Sequence, residues 1–144
     1  MKRRKIRSLS VSEIGMGCMG FSHGYGQVPD AGYAEEAIRE AFGYGCNFFD
    51  TAEGYGKELY YPGHNEEIVG RAVKGFLNEA VIATKLHIQP ETVEDCGSVY
   101  AAVRRHLERS LKNLQTDYVD LYYLHRINME VDYLEVAHAM GRLI

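Results

Sequence analysis

Cysteine is scarce and scattered. Cys18, Cys46 and Cys96 are the only three in 144 residues, and no two form a C-x-x-C pair. Neither a disulfide framework nor a structural zinc site is indicated, and a reduced, cytoplasmic setting is the expectation. Long apolar runs are missing as well. Nothing approaches the roughly 18 consecutive residues that a membrane span requires, so no membrane partner is expected. A basic excess is also lacking: the net charge is −4, and "MKRRK" at the start is the only dense basic cluster. That balance argues against general nucleic-acid binding. The basic terminus reads as solvated and has no apolar segment of the secretory type. What remains is the profile of a folded protein, 46% hydrophobic and 25% charged, long enough for one domain with a sizeable core and too short for two.

Four apolar, β-prone runs stand out: "SEIGMGCMGF" at 12–21, "CNFFDTA" at 46–52, "AVIATKL" at 80–86 and "YVDLYYLH" at 118–125. Each precedes a helix-like segment. The first helix is expected from the N-cap Asp30, with Ala34, Ile38 and Ala41 at helical spacing, until Gly43 and Gly45 stop it. The second begins at Asn65, with Glu66 and Glu67 in the first turn and Ile68, Val69, Ala72, Val73 and Phe76 as its apolar stripe. The third spans about 98–113, with Val103, Leu107, Leu111 and Leu114 on one face. A fourth starts near Asp132 and continues to the last residue. Strand and helix thus alternate at a pitch of roughly 35 to 40 residues, the size of a βα unit. That rhythm means an α/β fold with a parallel sheet. "NFFD" and "DLYYL" are apolar nearly throughout, as strands covered on both faces are.

Asp50, Lys85 and His125 close three successive runs. Any one alone is explained equally well as a cap, a snorkelling lysine or a satisfied histidine. At the carboxyl ends of parallel strands, however, loops converge on a common mouth. A buried lysine beside an aspartate stays protonated, each offsetting the desolvation of the other. A tyrosine hydroxyl beside that ammonium is a usable proton donor, and Tyr55 sits on a glycine-flanked bend just past Asp50. A neutral histidine can hydrogen-bond to a substrate oxygen. Such a group protonates a carbonyl oxygen, while hydride must come from a nicotinamide cofactor. "GMGCMG" does contain G-x-G-x-x-G, but no helix opens at Gly20 and Asp50 lies about 30 residues further on rather than about 20, so a dinucleotide fingerprint is disfavoured.

The segments "GCNFFDTAEGYG", "VIATK", "SLKNLQTDYVDLYYLHR" and "IGMGCMGFSHGYG" resemble the aldo-keto reductases. They are most similar to the bacterial and plant branch that includes perakine-reductase-like enzymes. The resemblance implies a parallel (β/α) barrel of the TIM type, of which residues 1–144 form a single partial domain of about four βα units, an N-terminal half ending after the fourth. It implies an NADPH-dependent oxidoreductase that reduces aldehydes or ketones to alcohols, with NADPH (NADP+) as cofactor. Asp50, Tyr55, Lys85 and His125 fall on the family's catalytic positions. Gly17, Cys18 and Met19, together with Asp50, fall where the nicotinamide side of the cofactor is touched. His23 and Tyr25 are candidate substrate contacts, or else members of an exposed loop without a role. Arg126 faces the same cleft or makes a surface salt bridge.

Two departures from the family pattern follow. A complete barrel takes roughly 250 residues, so the family's grip on the adenine and phosphates lies outside this chain. The segment "RKIRSLSVSEIG" lacks the turn glycine of the floor-closing hairpin and is expected to be trimmed. A half-barrel would also expose strand edges and apolar side chains. Association with itself or with a C-terminal half is therefore expected. The rival to a working reductase is a catalytically incompetent half-barrel that acts only through such assembly.

Overall fold

In the computed structural model, which describes residues 1–24 and 26–144, the chain opens with the hairpin that the sequence suggested was trimmed. Strands β1 (Arg3–Ile6) and β2 (Leu9–Ser12) pair antiparallel from Arg3↔Ser12 to Ile6↔Leu9. Arg7 takes the left-handed conformation, φ 51°, in the two-residue turn. A turn this tight needs positive φ, which glycine supplies most readily; here arginine adopts it. The expected strand at 12–21 contracts to β3 (Met16–Gly17), because the chain turns into a short 3-10 helix over Met19–Phe21.

From there the order is α1 (Ala31–Gly43), β4 (Phe48–Asp50), α2 (His64–Val73), β5 (Val81–Leu86), α3 (Pro90–Cys96), α4 (Val99–Leu114), β6 (Leu121–Leu124) and α5 (Tyr133–Gly141). The sheet runs β3-β4-β5-β6, parallel throughout. Among the described residues it is open, with β3 and β6 as its edges. Asp30, Ser98 and Asp132 cap α1, α4 and α5, each accepting a backbone N–H of the first turn. Helix α2 begins one residue earlier than expected, behind Gly63, with Asn65 inside its first turn. Helix α3 was not anticipated, although Pro90 at its start and Gly97 in the left-handed region at its end are its ordinary signals. Among the described residues no helix is long and apolar enough to cross a membrane.

The register divides the sheet into two faces, since alternate residues point to opposite sides. Phe49, Ile82, Thr84, Leu86, Tyr122 and Leu124 point to the helices. Phe48, Asp50, Val81, Ala83, Lys85, Leu121 and Tyr123 share the other face. The core lies on the helix side. Phe49 and Ile82 are fully buried there among Ile38, Ile68, Val69 and Val73, with Phe42 and Phe76 stacked at 3.9 Å beside them. Helices α2 and α4 meet at Gly70, where a Cβ would lie 2.6 Å from the Leu114 carbonyl carbon, so only glycine admits this approach. Helix α4 departs from the expected stripe. Val103 and Leu114 are buried, but His106 and Ser110 take the places of Leu107 and Leu111, which stay partly exposed. The reason is polar: the helix turns toward two buried glutamates, Glu53 and Glu66, which need donors.

Candidate active site

Asp50 pairs with Ala83 across β4 and β5, which places Lys85 two residues further along the same face. Lys85 Nζ donates to Asp50 Oδ1 at 2.5 Å, to the Thr51 carbonyl oxygen at 2.7 Å and to the Tyr55 hydroxyl at 3.1 Å. An ammonium has three donors, and all three are engaged. The pair is largely but not wholly shielded, with side-chain exposures of 14% for Lys85 and 32% for Asp50, so the ion pair is shaded from solvent while remaining within reach of a ligand. The Thr51 carbonyl is a partner that composition and spacing did not reveal, because a backbone acceptor carries no sequence signal.

Tyr55 returns over the pair on a bend whose following residue, Gly56, has φ 97° and packs against Ser22 and His64. Its ring meets His125 edge-on, with centroids 5.6 Å apart. The His125 backbone N–H donates to the Leu86 carbonyl at 2.8 Å, extending the β5–β6 ladder one step and fixing where the ring stands. Partial burial, followed by the Lys85 and Arg126 charges, lowers the His125 pKa. The ring is therefore neutral at pH 7, with one N–H to offer. Asp50, Tyr55, Lys85 and His125 are thus brought together at the carboxyl ends of neighbouring strands.

The other candidates are distributed around this group. Gly17 pairs with Asp50 on β3 and has open space where a side chain would be. Cys18 is completely buried in the helix-side core and its N–H is taken by the Asp50 carbonyl at 2.8 Å. Burial, and then the Asp50 charge, pushes its thiol pKa up to about 12. Its side chain is a packing element, which leaves Gly17 and the partly exposed Met19 as the open members of that turn. His23 lies 3.5 Å from Glu58, joining the loop after β3 to the loop after β4. Tyr25 lies outside the described residues. Arg126 is exposed and, among the described residues, forms no ion pair, which removes support from the surface-salt-bridge alternative.

Asn65 and Glu53 were missed as parts of this architecture. Asn65, fully buried, donates to the Cys18 carbonyl at 2.9 Å and to Ser22 Oγ at 2.8 Å, and accepts from Thr51 Oγ1 at 2.7 Å. It ties the first turn of α2 to both loops at the mouth. Fully buried polar side chains of this kind recur on the helix side, where Glu66 accepts from Thr84 Oγ1 at 2.6 Å and Asn113 Nδ2 at 2.9 Å. Burial raises the Glu66 pKa despite these bonds. For Glu53 burial acts in the same direction but is outweighed by His106, the His87 N–H and Arg109, so its pKa is lowered.

The two glutamates predict opposite pH dependences. Stability from Glu53 is fully present above the unfolded carboxylate range and is lost as pH falls through its depressed folded value. Glu66 favours the protonated folded form, so its contribution falls as pH rises from the unfolded range to its elevated folded value. The expected result is a melting temperature that peaks near the ordinary glutamate range, measured by circular dichroism across pH 3–8. Glu53→Gln should flatten the acid limb and Glu66→Gln the limb above it; unchanged limbs would contradict the assignment.

The four-stranded parallel sheet thus carries an Asp–Lys–Tyr–His group at the carboxyl ends of its strands. The Aldo/keto reductase family model matches residues 13–144, and the chain belongs to that family. It is 35% identical over 142 residues to "Probable aldo-keto reductase 1" of Glycine max, covering 96% of this chain and 39% of that protein. It is also 35% identical over 147 residues to aldo-keto reductase yakc of Schizosaccharomyces pombe, whose name specifies NADP(+), covering 98% and 41% respectively. Among solved structures, the holo form of aldo-keto reductase AKR11C1 from Bacillus halodurans superposes with a TM-score of 0.78 at 31% identity, covering 99% of this chain and 46% of that one. The chain spans less than half the length of these relatives.

Proposed function

We propose that this chain carries the proton-transfer half of an NADPH-dependent reduction of aldehydes or ketones. The observation that supports it is the three-way engagement of Lys85 by Asp50, Thr51 and Tyr55 beside a neutral His125. A nicotinamide fits the chemistry of the mouth, because Gly17 leaves open space on the face that carries Asp50. NADPH, when bound, supplies the hydride that no side chain can provide. Gly17, Met19 and Asp50 are the residues here that would border it.

The remaining steps belong to this chain. Tyr55 gives its hydroxyl proton to the carbonyl oxygen as the carbonyl carbon accepts hydride, and an alcohol results. The Lys85 ammonium, 3.1 Å from that hydroxyl, stabilises the phenolate left behind. Asp50 keeps the ammonium in place and balances its charge. His125, neutral, donates a hydrogen bond that orients the carbonyl. His23 and Arg126 border the substrate side.

A second reading follows from the open sheet. Tyr123 is 42% exposed on the face that holds Lys85, and both edge strands lack a neighbour on one side among the described residues. In that reading the chain is a half-barrel of about four βα units that associates with itself or with a C-terminal half. One experiment separates the two: the chain is mixed with NADPH and an aromatic aldehyde, and absorbance of the reduced cofactor is followed. Aldehyde-dependent loss supports the reductase; no loss at millimolar cofactor overturns independent reductase activity of this chain.

A further inference from the structure

Glu53 stands three residues after Asp50 and two before Tyr55, and only 4% of it is exposed. A carboxylate this deep is costly unless its lone pairs are taken. They are: Oε1 accepts the His87 backbone N–H at 2.7 Å, and Oε2 accepts from His106 Nδ1 at 2.7 Å and Arg109 Nη2 at 2.8 Å. The residue's own N–H donates to the Lys85 carbonyl at 3.3 Å, and its carbonyl accepts the Gly63 N–H at 2.8 Å. Five bonds therefore hold one residue to the end of β5, to α4 and to the entrance of α2.

The bend that carries Tyr55 between Gly54 and Gly56 is closed by the Tyr55 N–H to the Ala52 carbonyl at 3.1 Å and the Lys57 N–H to the Gly54 carbonyl at 3.3 Å. Within that bend, Glu53 is the residue whose side chain ties it to α4. His106 and Arg109 present their donors from one face of α4, three residues apart. His106 is buried, and its Nε2 has no partner among the described residues. The bond from Nδ1 to Glu53 is thus the polar contact that accounts for a buried imidazole at this place in the helix, inward where the expected stripe had placed Leu107.

We propose that Glu53 is a positioning residue for proton transfer: clamped by the His87 N–H, His106 and Arg109, it fixes the 51–57 loop so that the Tyr55 hydroxyl stays at Lys85 Nζ. The clamp acts through Tyr55 and so rests on the reading of Tyr55 as proton donor. It couples helix α4, remote from the mouth, to the geometry of the donor.

The test compares Glu53→Ala, His106→Leu and His106→Asn in the 144-residue chain. Asparagine keeps a donor near the Nδ1 position; leucine keeps bulk without one. By amide hydrogen exchange with mass spectrometry, residues 51–57 should exchange about 10- to 100-fold faster in Glu53→Ala and His106→Leu, well beyond any rise in α1, with His106→Asn close to wild type. In NADPH-dependent aldehyde reduction, kcat should fall about 10- to 100-fold in the first two variants while KM stays within about threefold, and asparagine should restore kcat. Wild-type exchange at 51–57 in Glu53→Ala overturns the proposal. So does acceleration that spreads equally through α1, which makes Glu53 a determinant of the whole fold, or a failure of asparagine to rescue where leucine does not. If wild type shows no turnover, the reductase reading fails, and the exchange measurement still decides whether the clamp exists.

Discussion

Tyr55→Phe is expected to lower turnover by about 10²- to 10⁴-fold, the range over which a positioned general acid accelerates proton transfer, with little change in KM or in melting temperature. The variant removes one oxygen and keeps the ring. That ring meets His125 edge-on and lies 4.8 Å, centroid to Nζ, from Lys85, so packing and the cation–π contact survive. Lys85 loses one of three partners but retains Asp50 and the Thr51 carbonyl, and no buried charge is stranded. Only the hydroxyl is gone. Stopped-flow measurement of cofactor oxidation, beside a thermal melt of the same preparation, separates chemistry from folding. A rate within about threefold of wild type would remove Tyr55 from its assigned role. Lys85→Met is a useful contrast, because it leaves Asp50 without its cation and should lose both rate and stability.

The parts of this molecule that were legible in its sequence are those set by local chemistry. Asp30 caps its helix as expected, and the helices expected from about 98 and near Asp132 start behind Ser98 and Asp132, since a side-chain acceptor next to three free N–H groups acts within one turn. The ends of the strands were legible for a related reason: an ionisable residue closing an apolar run marks where a buried strand meets its mouth. The parts that were missed depend on partners far along the chain. His106 meets Glu53 across 53 residues, and Asn113 meets Glu66 across 47. Heptad-like spacing therefore favoured Leu107 and Leu111, because periodicity counts apolar residues and cannot see a buried carboxylate waiting on the other side. Arg7 shows the limit of turn rules. Glycine is the residue that tolerates positive φ most easily, yet an exposed arginine accepts it when strands on both sides pair in register.

Division of the sheet into a helix face and a site face has a direct mechanical consequence for β4, whose two phenylalanines are neighbours in sequence and opposites in space. Phe49 is fully buried, packed among α1 and α2 residues with its ring 6.1 Å from that of Phe76. Phe48 is partly exposed on the face that carries Asp50. Phe49→Ala should cost about 4 kcal/mol, combining lost transfer energy with a cavity that the stacked Phe42 and Phe76 cannot readily fill. Phe48→Ala should cost about 1 kcal/mol, in proportion to the smaller area it hides. Urea denaturation followed by circular dichroism measures both, and equal costs would contradict the layering. The larger loss reaches the site too. Residue 49 is the last residue before Asp50, and the Asp50 carbonyl receives the Cys18 N–H that carries the sheet on to β3. Loosening Phe49 thus frees the aspartate that holds Lys85, so the variant should lose activity at temperatures below its melting point. Tyr55→Phe would be stable and inactive, whereas Phe49→Ala would be unstable first and inactive as a result. Their contrast distinguishes the group proposed to transfer the proton from the packing that keeps it assembled.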